Sequence, residues 1–166
     1  MDKDEIIIQS IIDAAKKLMQ QYGLSKTTME DIAKAAGKGK STLYYYFKSK
    51  EEIFDAVINQ EMDDFFTTVK TAVNKQVDAT EMLKAYMIAK IKTLKTKVNL
   101  YRFALETDLH PEAINDLFIK LKNRYDSEEK KLIGSILKLG VDSKLYRAEI
   151  QAEIEILSEL LVTCVR

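Results

Sequence analysis

The sequence contains few of the residues that interrupt helices. Its 166 residues include one proline and five glycines. Alanine, leucine, lysine and glutamate recur throughout instead, and these residues lose little side-chain freedom when they enter a helix. We therefore expect an all-α protein.

Cysteine and histidine are equally scarce. The single cysteine, Cys164, excludes an internal disulfide, and the single histidine, His110, excludes a metal site with several histidine ligands. We expect neither a metal nor a cofactor. The chain does not open with a basic segment and an apolar run of signal-peptide type, so the cytoplasm is the expected location.

Long apolar runs and catalytic motifs are also missing. Charged residues interrupt every apolar stretch before it reaches the roughly 20 residues that span a bilayer, so we expect no membrane-spanning segment. The sequence has no phosphate-cradling glycine loop, no nucleophile elbow and no CxxC pair, and its acids are scattered over helix faces. We expect no enzymatic activity.

The net charge of zero conceals an uneven distribution. Residues 1–50 hold nine lysines and six acidic residues, a balance of +3, and 38–50 hold four lysines and no acid. A local positive field of this kind attracts phosphate. Charge alone also fits an ordinary solvated face. The surrounding sequence pattern therefore has to distinguish a phosphate-binding surface from a solvated one.

Apolar spacing divides the first 50 residues into three helices. The first ends at Gly23, a natural C-terminal cap. The second, over 28–36, opens with Thr28 and Asp31 in a capping-box pattern. Two glycines then form a tight turn before a third helix over 40–47. Two short helices joined by such a turn predict a helix-turn-helix.

Three helices follow before the single proline. The fourth opens with Ser49 and Glu52, a second capping-box pattern, and ends near 72–75. The fifth ends in a break near Asn99, and a sixth over 100–109 stops before the proline, which disfavours helical backbone in the preceding residue. The spacing of the fifth helix is carried by Met82, Leu83, Tyr86, Met87, Ala89, Lys90 and Leu94.

The last third of the chain predicts two more helices. The seventh covers about 112–139 and stops at Gly140. The eighth is capped by Asp142 or Ser143 and is still running at Arg166. Because no glycine, proline or polar tail ends it, we expect further C-terminal residues beyond the given sequence.

The segment 28–50, TMEDIAKAAGKGKSTLYYYFKSK, resembles the DNA-binding segment of the TetR/AcrR family, whose members commonly show TxxDIAxxAGVSKGTLYxYFxSKEEL. The resemblance spans about 11–54. It implies a ligand-responsive regulator, most often a repressor, which binds a pseudo-palindromic operator in double-stranded DNA as a homodimer and is released by a small molecule. It also implies a helix-turn-helix domain over 1–48 and a helical ligand-binding and dimerisation domain over 49–166, incomplete at its C-terminus.

The third helix would carry the contacts to bases. Its start enters the major groove in such domains and presents hydrogen-bond donors, hydroxyls and methyls to base edges. The candidate base-reading residues are Lys40, Ser41, Thr42, Tyr44 and Tyr45. The residues expected to pack the core beneath them are Ile32, Ala33, Ala36, Leu43 and Phe47.

A second group is expected to contact phosphates, which orient the protein without reading sequence. It consists of Lys48 and Lys50 with Tyr46 and Thr28. Successive helix positions point about 100° apart, so three consecutive tyrosines cannot all face DNA, and we expect Tyr46 to be partly packed.

Two positions depart from the family pattern. Lys38 replaces a usual valine in the turn, where it either weakens the corner or adds a phosphate contact. Glu30 replaces a residue that is often basic or polar, and it either repels phosphate or stabilises the start of the second helix.

The resemblance also implies a pocket for a small apolar or amphipathic effector within the fifth to seventh helices. Ordinary core packing explains each candidate residue equally well. The candidates are Tyr86, Met87, Ile91, Tyr101, Phe103, Leu105, Phe118 and Tyr125.

Two other functions fit the sequence. One is an all-α small-molecule-binding protein or enzyme that keeps the helix-turn-helix for packing and has no DNA-binding role. The other is a DNA-binding protein without a ligand, which a filled interior would favour.

Overall fold

The computed structural model describes residues 2–105 and 111–164, with side chains described except at 94–105, 111–118, 120, 121 and 164. Within these described residues the chain forms only helices, so the predicted all-α class is confirmed. The elements are α1 (Lys3–Tyr22), α2 (Met29–Ala35), α3 (Lys40–Tyr46), α4 (Lys50–Asn74), α5 (Ala79–Leu105), α6 (Pro111–Asp142), a 3₁₀ segment (Ala148–Glu153) and α7 (Ile154–Cys164).

The chain divides into two compact units. The first comprises Met1–Glu61 with Lys97–Leu117, and the second comprises Met62–Thr96 with Phe118–Arg166. Residues of α4 therefore belong in part to each unit. The predicted domain boundary between residues 48 and 49 lies earlier in the chain and stays a prediction.

The first unit has a core of side chains from α1 to α4. Burying one large apolar side chain contributes roughly 1.5–3 kcal/mol, so this set stabilises the small helical unit. Four of the five residues predicted to pack beneath α3 are buried, whereas Ala36 is half-buried. The buried set is Ile11, Ile12, Ala14, Ala15, Met19, Leu24, Ile32, Ala33, Leu43, Phe47, Ile53, Phe54, Val57 and Ile58.

The turn between α2 and α3 is built around Gly37. Its φ of +65° lies in the left-handed region, where a residue with a side chain would be strained. The N–H of Gly37 donates to the carbonyl of Lys34 at 3.1 Å, and the N–H of Lys38 donates to the carbonyl of Ala33 at 2.9 Å. This pair of bonds is a Schellman motif, which satisfies the last carbonyls of α2 and ends the helix there.

The fifth and sixth helices of the prediction are one helix. α5 runs without interruption to Leu105, so the expected break near Asn99 is wrong. Asparagine is less favourable than alanine in a helix by about 0.7 kcal/mol, and no glycine or proline accompanies it here. The rest of the predicted sixth helix, 106–109, and His110 lie outside the described residues.

The helix stop predicted at Gly140 is also wrong, because α6 continues to Asp142. The Gly140 carbonyl accepts hydrogen bonds from the N–H groups of Leu145 and Tyr146, both at 2.9 Å. A Cβ at this glycine would overlap the ring of Tyr146. Glycine therefore allows the close approach of an aromatic ring to the helix backbone.

The last helix begins later than predicted. The expected cap Asp142 belongs to α6, and the chain then turns at Lys144, whose φ is +59°. The 3₁₀ segment follows, and α7 begins only at Ile154. Leu145, predicted on the apolar side of the helix, is 49% exposed. α7 is described to Cys164, and the predicted continuation over 165–166 lies outside the described residues.

The second unit has its own core, contributed by α4, α5, α6 and α7. None of the described helices combines the length and low charge needed to span a bilayer. The buried apolar residues of this unit are Met62, Phe65, Phe66, Val69, Val73, Ala79, Tyr86, Ala89, Ile133, Ile136, Leu137 and Val162.

The turn provides a test that isolates backbone strain. A Cβ at Gly37 would meet no atom within 4 Å, so Gly37→Ala changes only the cost of the left-handed backbone. We expect this substitution to destabilise the turn by about 1 kcal/mol. Amide hydrogen exchange in a peptide covering 28–47 should be accelerated roughly fivefold.

Gly39→Ser serves as the matched control. Gly39 has a φ of −70° and lies at the N-cap of α3, where serine supplies a side-chain acceptor. Exchange in the same peptide should be unchanged or slower. Equal acceleration by both substitutions would show that any side chain in the turn is disruptive, contrary to the role assigned to Gly37.

Candidate nucleic-acid interface

The second helix starts at the predicted capping box. The Thr28 hydroxyl accepts a hydrogen bond from the N–H of Asp31 at 3.2 Å, and the Asp31 carboxylate accepts one from the N–H of Thr28 at 3.1 Å. The Thr28 hydroxyl also donates to this carboxylate and thereby lowers the pKa of Asp31. Thr28 is thus an exposed residue whose side chain holds the start of α2.

α3 has a buried and an exposed face. Leu43 is fully buried and Phe47, directly after the helix, is 7% exposed. On the other side Tyr44 is 40% and Tyr45 72% exposed, large values for aromatic side chains. We call Lys40, Ser41, Tyr44 and Tyr45, all exposed, the exposed face of α3; Thr42 beside them is half-buried.

Lys40, at the start of this face, pairs with Glu30 in the first turn of α2. The ammonium and the carboxylate form an exposed ion pair, and the hydrogen bond between them raises the pKa of Lys40. Glu30 lies in the first turn of α2, where a negative charge stabilises the N-terminus of a helix. This position agrees with the prediction that Glu30 stabilises the start of the second helix. The ion pair was not predicted.

Tyr46 turns away from the exposed face of α3. Its hydroxyl donates to the carboxylate of Asp4 on α1 at 2.6 Å, and this bond raises the pKa of Tyr46 to about 12. Its ring packs edge-on against Tyr45, with centroids 4.9 Å apart. The predicted partial packing of Tyr46 is confirmed, and its hydroxyl is already engaged within the protein.

Lys48 is exposed just beyond α3. Its ammonium donates to the carbonyl of Tyr44 at 3.3 Å, near the C-terminus of α3, where carbonyls lack partners within the helix. The N–H of Glu52 donates to the Ser49 hydroxyl at 3.2 Å, but the Glu52 carboxylate accepts from the N–H of Lys48 rather than of Ser49. Only half of the second predicted capping box therefore forms.

Lys50 has a different environment. Its ammonium donates to three carbonyls of the loop between α1 and α2, those of Leu24, Ser25 and Thr27, at 3.1, 3.3 and 3.4 Å. The side chain is half-buried. Lys50 therefore connects the loop before α2 to the first turn of α4, and its ammonium is hydrogen-bonded to protein carbonyls.

An open hollow of about 370 Å³ lies beside α3 in the first unit. It brings together three residues that the sequence analysis assigned to DNA contacts, Thr28, Tyr44 and Lys50. Lys38, in the turn, is half-buried, as expected for a lysine whose stem covers the corner. The hollow is completed by Thr27, Met29 and Glu30.

The predicted effector residues fall in two groups. The side chains of Tyr101, Phe103, Leu105 and Phe118 lie outside the described residues. In the second unit, Tyr86 is buried and Met87 is half-buried. Ile91 is 44% exposed and therefore does not lie in an enclosed interior. Tyr125 packs against the rings of Phe65 and Phe66, with centroid distances of 5.1 and 5.3 Å.

A buried polar cluster accompanies Tyr86. Its hydroxyl donates to Glu129 Oε1 at 2.7 Å, and Lys90 Nζ donates to Glu129 Oε2 at 2.9 Å and to the Tyr86 oxygen at 3.3 Å. Burial, and then the bond to Glu129, raise the pKa of Tyr86. We call Tyr86, Lys90 and Glu129 the buried polar cluster; each is at most 1% exposed.

Lys90 and Glu129 were missed as candidate residues. The sequence carried a signal for the lysine, because Lys90 stands four residues after Tyr86 on the apolar side of its helix. A lysine at a core position needs a buried partner. Nothing in the sequence identified Glu129, on another helix, as that partner.

Comparisons with known proteins agree with this geometry. The family model for bacterial regulatory proteins of the tetR family matches residues 11–57. The chain is 28% identical to the HTH-type transcriptional repressor KstR2 of Rhodococcus jostii over 144 residues, which are 87% of this chain and 70% of that protein.

Solved structures show the same fold. A transcriptional regulator from Cytophaga hutchinsonii is 34% identical with a TM-score of 0.72, covering 92% of this chain and 77% of that one. A Clostridium perfringens protein described as a putative fatty acid metabolism regulator is 27% identical with a TM-score of 0.63, covering 94% of this chain and 81% of that one.

The two lysines after α3 predict different responses to the same substitution. Lys50→Met removes three hydrogen bonds to the loop before α2, so amides of 23–28 should exchange roughly fivefold faster, as expected for about 1 kcal/mol of lost local stability. Lys48→Met removes one exposed contact and should leave this exchange unchanged. Exchange unaffected by Lys50→Met would contradict the anchoring role.

Proposed function

The chain belongs to the TetR family of bacterial regulatory proteins and is a DNA-binding transcriptional regulator, and we propose that it is a repressor that a small-molecule effector releases from its operator. Proteins of this family are transcription factors rather than enzymes. Double-stranded DNA is the partner of its helix-turn-helix, and the cytoplasm, where that DNA lies, is the proposed location.

The exposed face of α3 carries this proposal. Leu43 and Phe47 fix one side of the helix in the core, and the other side presents an ammonium, a hydroxyl and two phenols. In the major groove, lysine donates to guanine N7 and O6, and hydroxyl groups bond to several base edges. We assign base reading to the exposed face of α3 and to Thr42.

Phosphate contacts are assigned chiefly to Lys48. Its ammonium has one long bond to a carbonyl, which a phosphate oxygen replaces readily because it carries a full negative charge. We propose that Thr28, Tyr46 and Lys50 support phosphate contacts mainly by holding α2, α3 and the loop before α2 in place.

A homodimer is the proposed binding form. Two copies of the helix-turn-helix would place their α3 helices in successive major grooves, about 34 Å apart, on a pseudo-palindromic operator. α7 exposes two large apolar side chains four residues apart, Ile156 at 64% and Leu160 at 54%. Residues at this spacing lie on one helix face, and such a face supports pairing of two chains through the second unit.

An apolar or amphipathic effector is proposed for the second unit. The aromatic group of Tyr125, Phe65 and Phe66 beside the buried polar cluster supports it, and so does the description of the Clostridium perfringens relative as a putative fatty acid metabolism regulator. The effector has to bind the DNA-incompetent state more tightly, because equal affinity for both states shifts no equilibrium.

Selection of bound duplexes from random DNA tests the function. We expect an inverted repeat whose half-site centres are about one helical turn apart, as a symmetric dimer requires. Binding should be sequence-selective at 150 mM salt. If no sequence is enriched and the protein is not retained on a heparin column at low salt, the alternative function is favoured. That alternative is an all-α binding protein without a DNA role.

Two substitutions test the division of labour on that duplex. Lys48→Ala should weaken binding to the selected site and to random DNA alike, and reduce the slope of log K against log salt by about 0.9, as expected for one lost phosphate contact. Tyr44→Ala should reduce preference for the selected site while leaving the salt slope unchanged. Equal losses on both DNAs from both variants would contradict the assignment.

A further inference from the structure

An exposed ion pair joins the first turn of α2 to the first residue of α3. The two side chains, of Glu30 and Lys40, are 68% and 60% exposed. Within the part of the chain that the structure describes, the ammonium and the carboxylate hydrogen-bond to each other and to no other group. Glu30 also borders the open hollow beside α3, together with Tyr44. A carboxylate therefore lies at the start of the helix to which base reading is assigned.

Stability does not explain an acid at this place. An exposed ion pair contributes little to folding, because water solvates both charges well when they are apart. An acid on a surface that meets phosphates also opposes DNA binding, because like charges repel. Glu30 is therefore unfavourable for the proposed function unless DNA supplies a hydrogen-bond donor to its carboxylate.

Both charged groups have room and capacity to meet a base. The ammonium has three donors and the carboxylate about four acceptor sites, and the ion pair uses one of each. The start of a recognition helix enters the major groove, and Lys40 is the first residue of α3. Because the two groups are in contact, a base pair that Lys40 reaches is also within reach of Glu30.

The major-groove edge of a G·C pair offers the matching groups side by side. Guanine presents the acceptors N7 and O6, and cytosine presents its N4 amino donor next to O6. Lysine fits the two acceptors and glutamate fits the amino group. Reversal of the pair to C·G exchanges these positions, so the lysine then faces a donor and the glutamate an acceptor. The ion pair is therefore complementary to one orientation of this base pair.

We propose that Glu30 is a second base-reading residue, which accepts a hydrogen bond from the N4 amino group of a cytosine whose paired guanine is bound by Lys40. At this base pair the two groups exchange each other for one base each, and neither charge loses its partner. At a reversed pair the carboxylate loses the lysine and gains no donor. This inference rests on the proposed base-reading role of α3 and adds to it one residue of α2 and the base pair that it selects.

Combined changes in the protein and in one base test this contact. The duplex is the operator obtained by selection, and the position is the base pair at which Lys40→Met abolishes the preference. There the cytosine is replaced by N4-methylcytosine, whose methyl group takes the place of the amino hydrogen facing the major groove while pairing with guanine is kept. The unmodified chain should bind the methylated duplex about tenfold more weakly, whereas Glu30→Ala should bind both duplexes within about twofold.

Reversal of the same base pair gives a second measurement. Replacement of G·C by C·G should weaken binding of the unmodified chain about tenfold, and that of Glu30→Ala only about threefold, because the lysine still prefers guanine. Glu30 is exposed and alanine is the best helix former, so this variant keeps its fold.

Glu51→Ala is the matched control. It removes an exposed acid from the first turn of another helix of the same unit, α4, and changes the net charge by the same amount. It should leave both ratios of affinity unchanged, whatever its effect on the affinity for all DNA.

The outcomes separate this inference from the proposed function. The inference is overturned if Lys40→Met affects no base preference or affects a pair other than G·C. It is also overturned if Glu30→Ala still loses affinity on methylation, or binds every duplex more tightly by one common factor. In each case selective binding by the unmodified chain leaves the regulator assignment intact. Failure of the unmodified chain to select any sequence would overturn both.

Discussion

The left-handed backbone at Gly37 is the constraint on which the exposed face of α3 depends. The helix-turn-helix requires α2 to stop and α3 to start within four residues, and the Schellman bonds of Gly37 and Lys38 achieve the stop. Once α3 starts at Lys40, the positions of Leu43 and Phe47 in the core leave only one orientation for the helix. The exposure of Tyr44 and Tyr45 is a consequence of that orientation rather than an independent feature.

Four lysines acquire different roles from their neighbours. Lys40 faces a carboxylate at the surface, Lys48 a single carbonyl, Lys50 three loop carbonyls and Lys90 a buried carboxylate with a phenol. Because the ammonium is a compact charge on a flexible stem, its function depends on the acceptors within a few ångströms. A count of basic residues could locate the positive region but could not separate anchors from reading groups.

Local patterns predicted the fold of the first unit well. The capping box at Thr28, the glycine turn and the apolar spacing of α1 to α3 act over three to five residues, and sequence displays them directly. One error arose where a contact from outside the helix overruled the local signal. Gly140 was interpreted as a helix stop, whereas the glycine is needed for the ring of Tyr146 to approach the backbone.

The candidate sites divide along the same line. The residues on the exposed face of α3 were identified from spacing because they share one helix. The engagements of Tyr46 with Asp4, of Lys50 with the loop before α2 and of Lys90 with Glu129 join residues 42, 23–26 and 39 positions apart. Such pairings depend on how helices pack, and periodicity does not report them.

If Lys40 contacts DNA as proposed, its pairing with Glu30 places a competing acceptor inside the protein. A phosphate or base that reaches Lys40 has to displace a carboxylate that is already in contact with it. The gain on binding is then the difference between two ion pairs rather than the whole of one. On the proposed assignment of Lys40 to base reading, the neighbouring acid would therefore weaken every DNA contact that does not replace the ion pair.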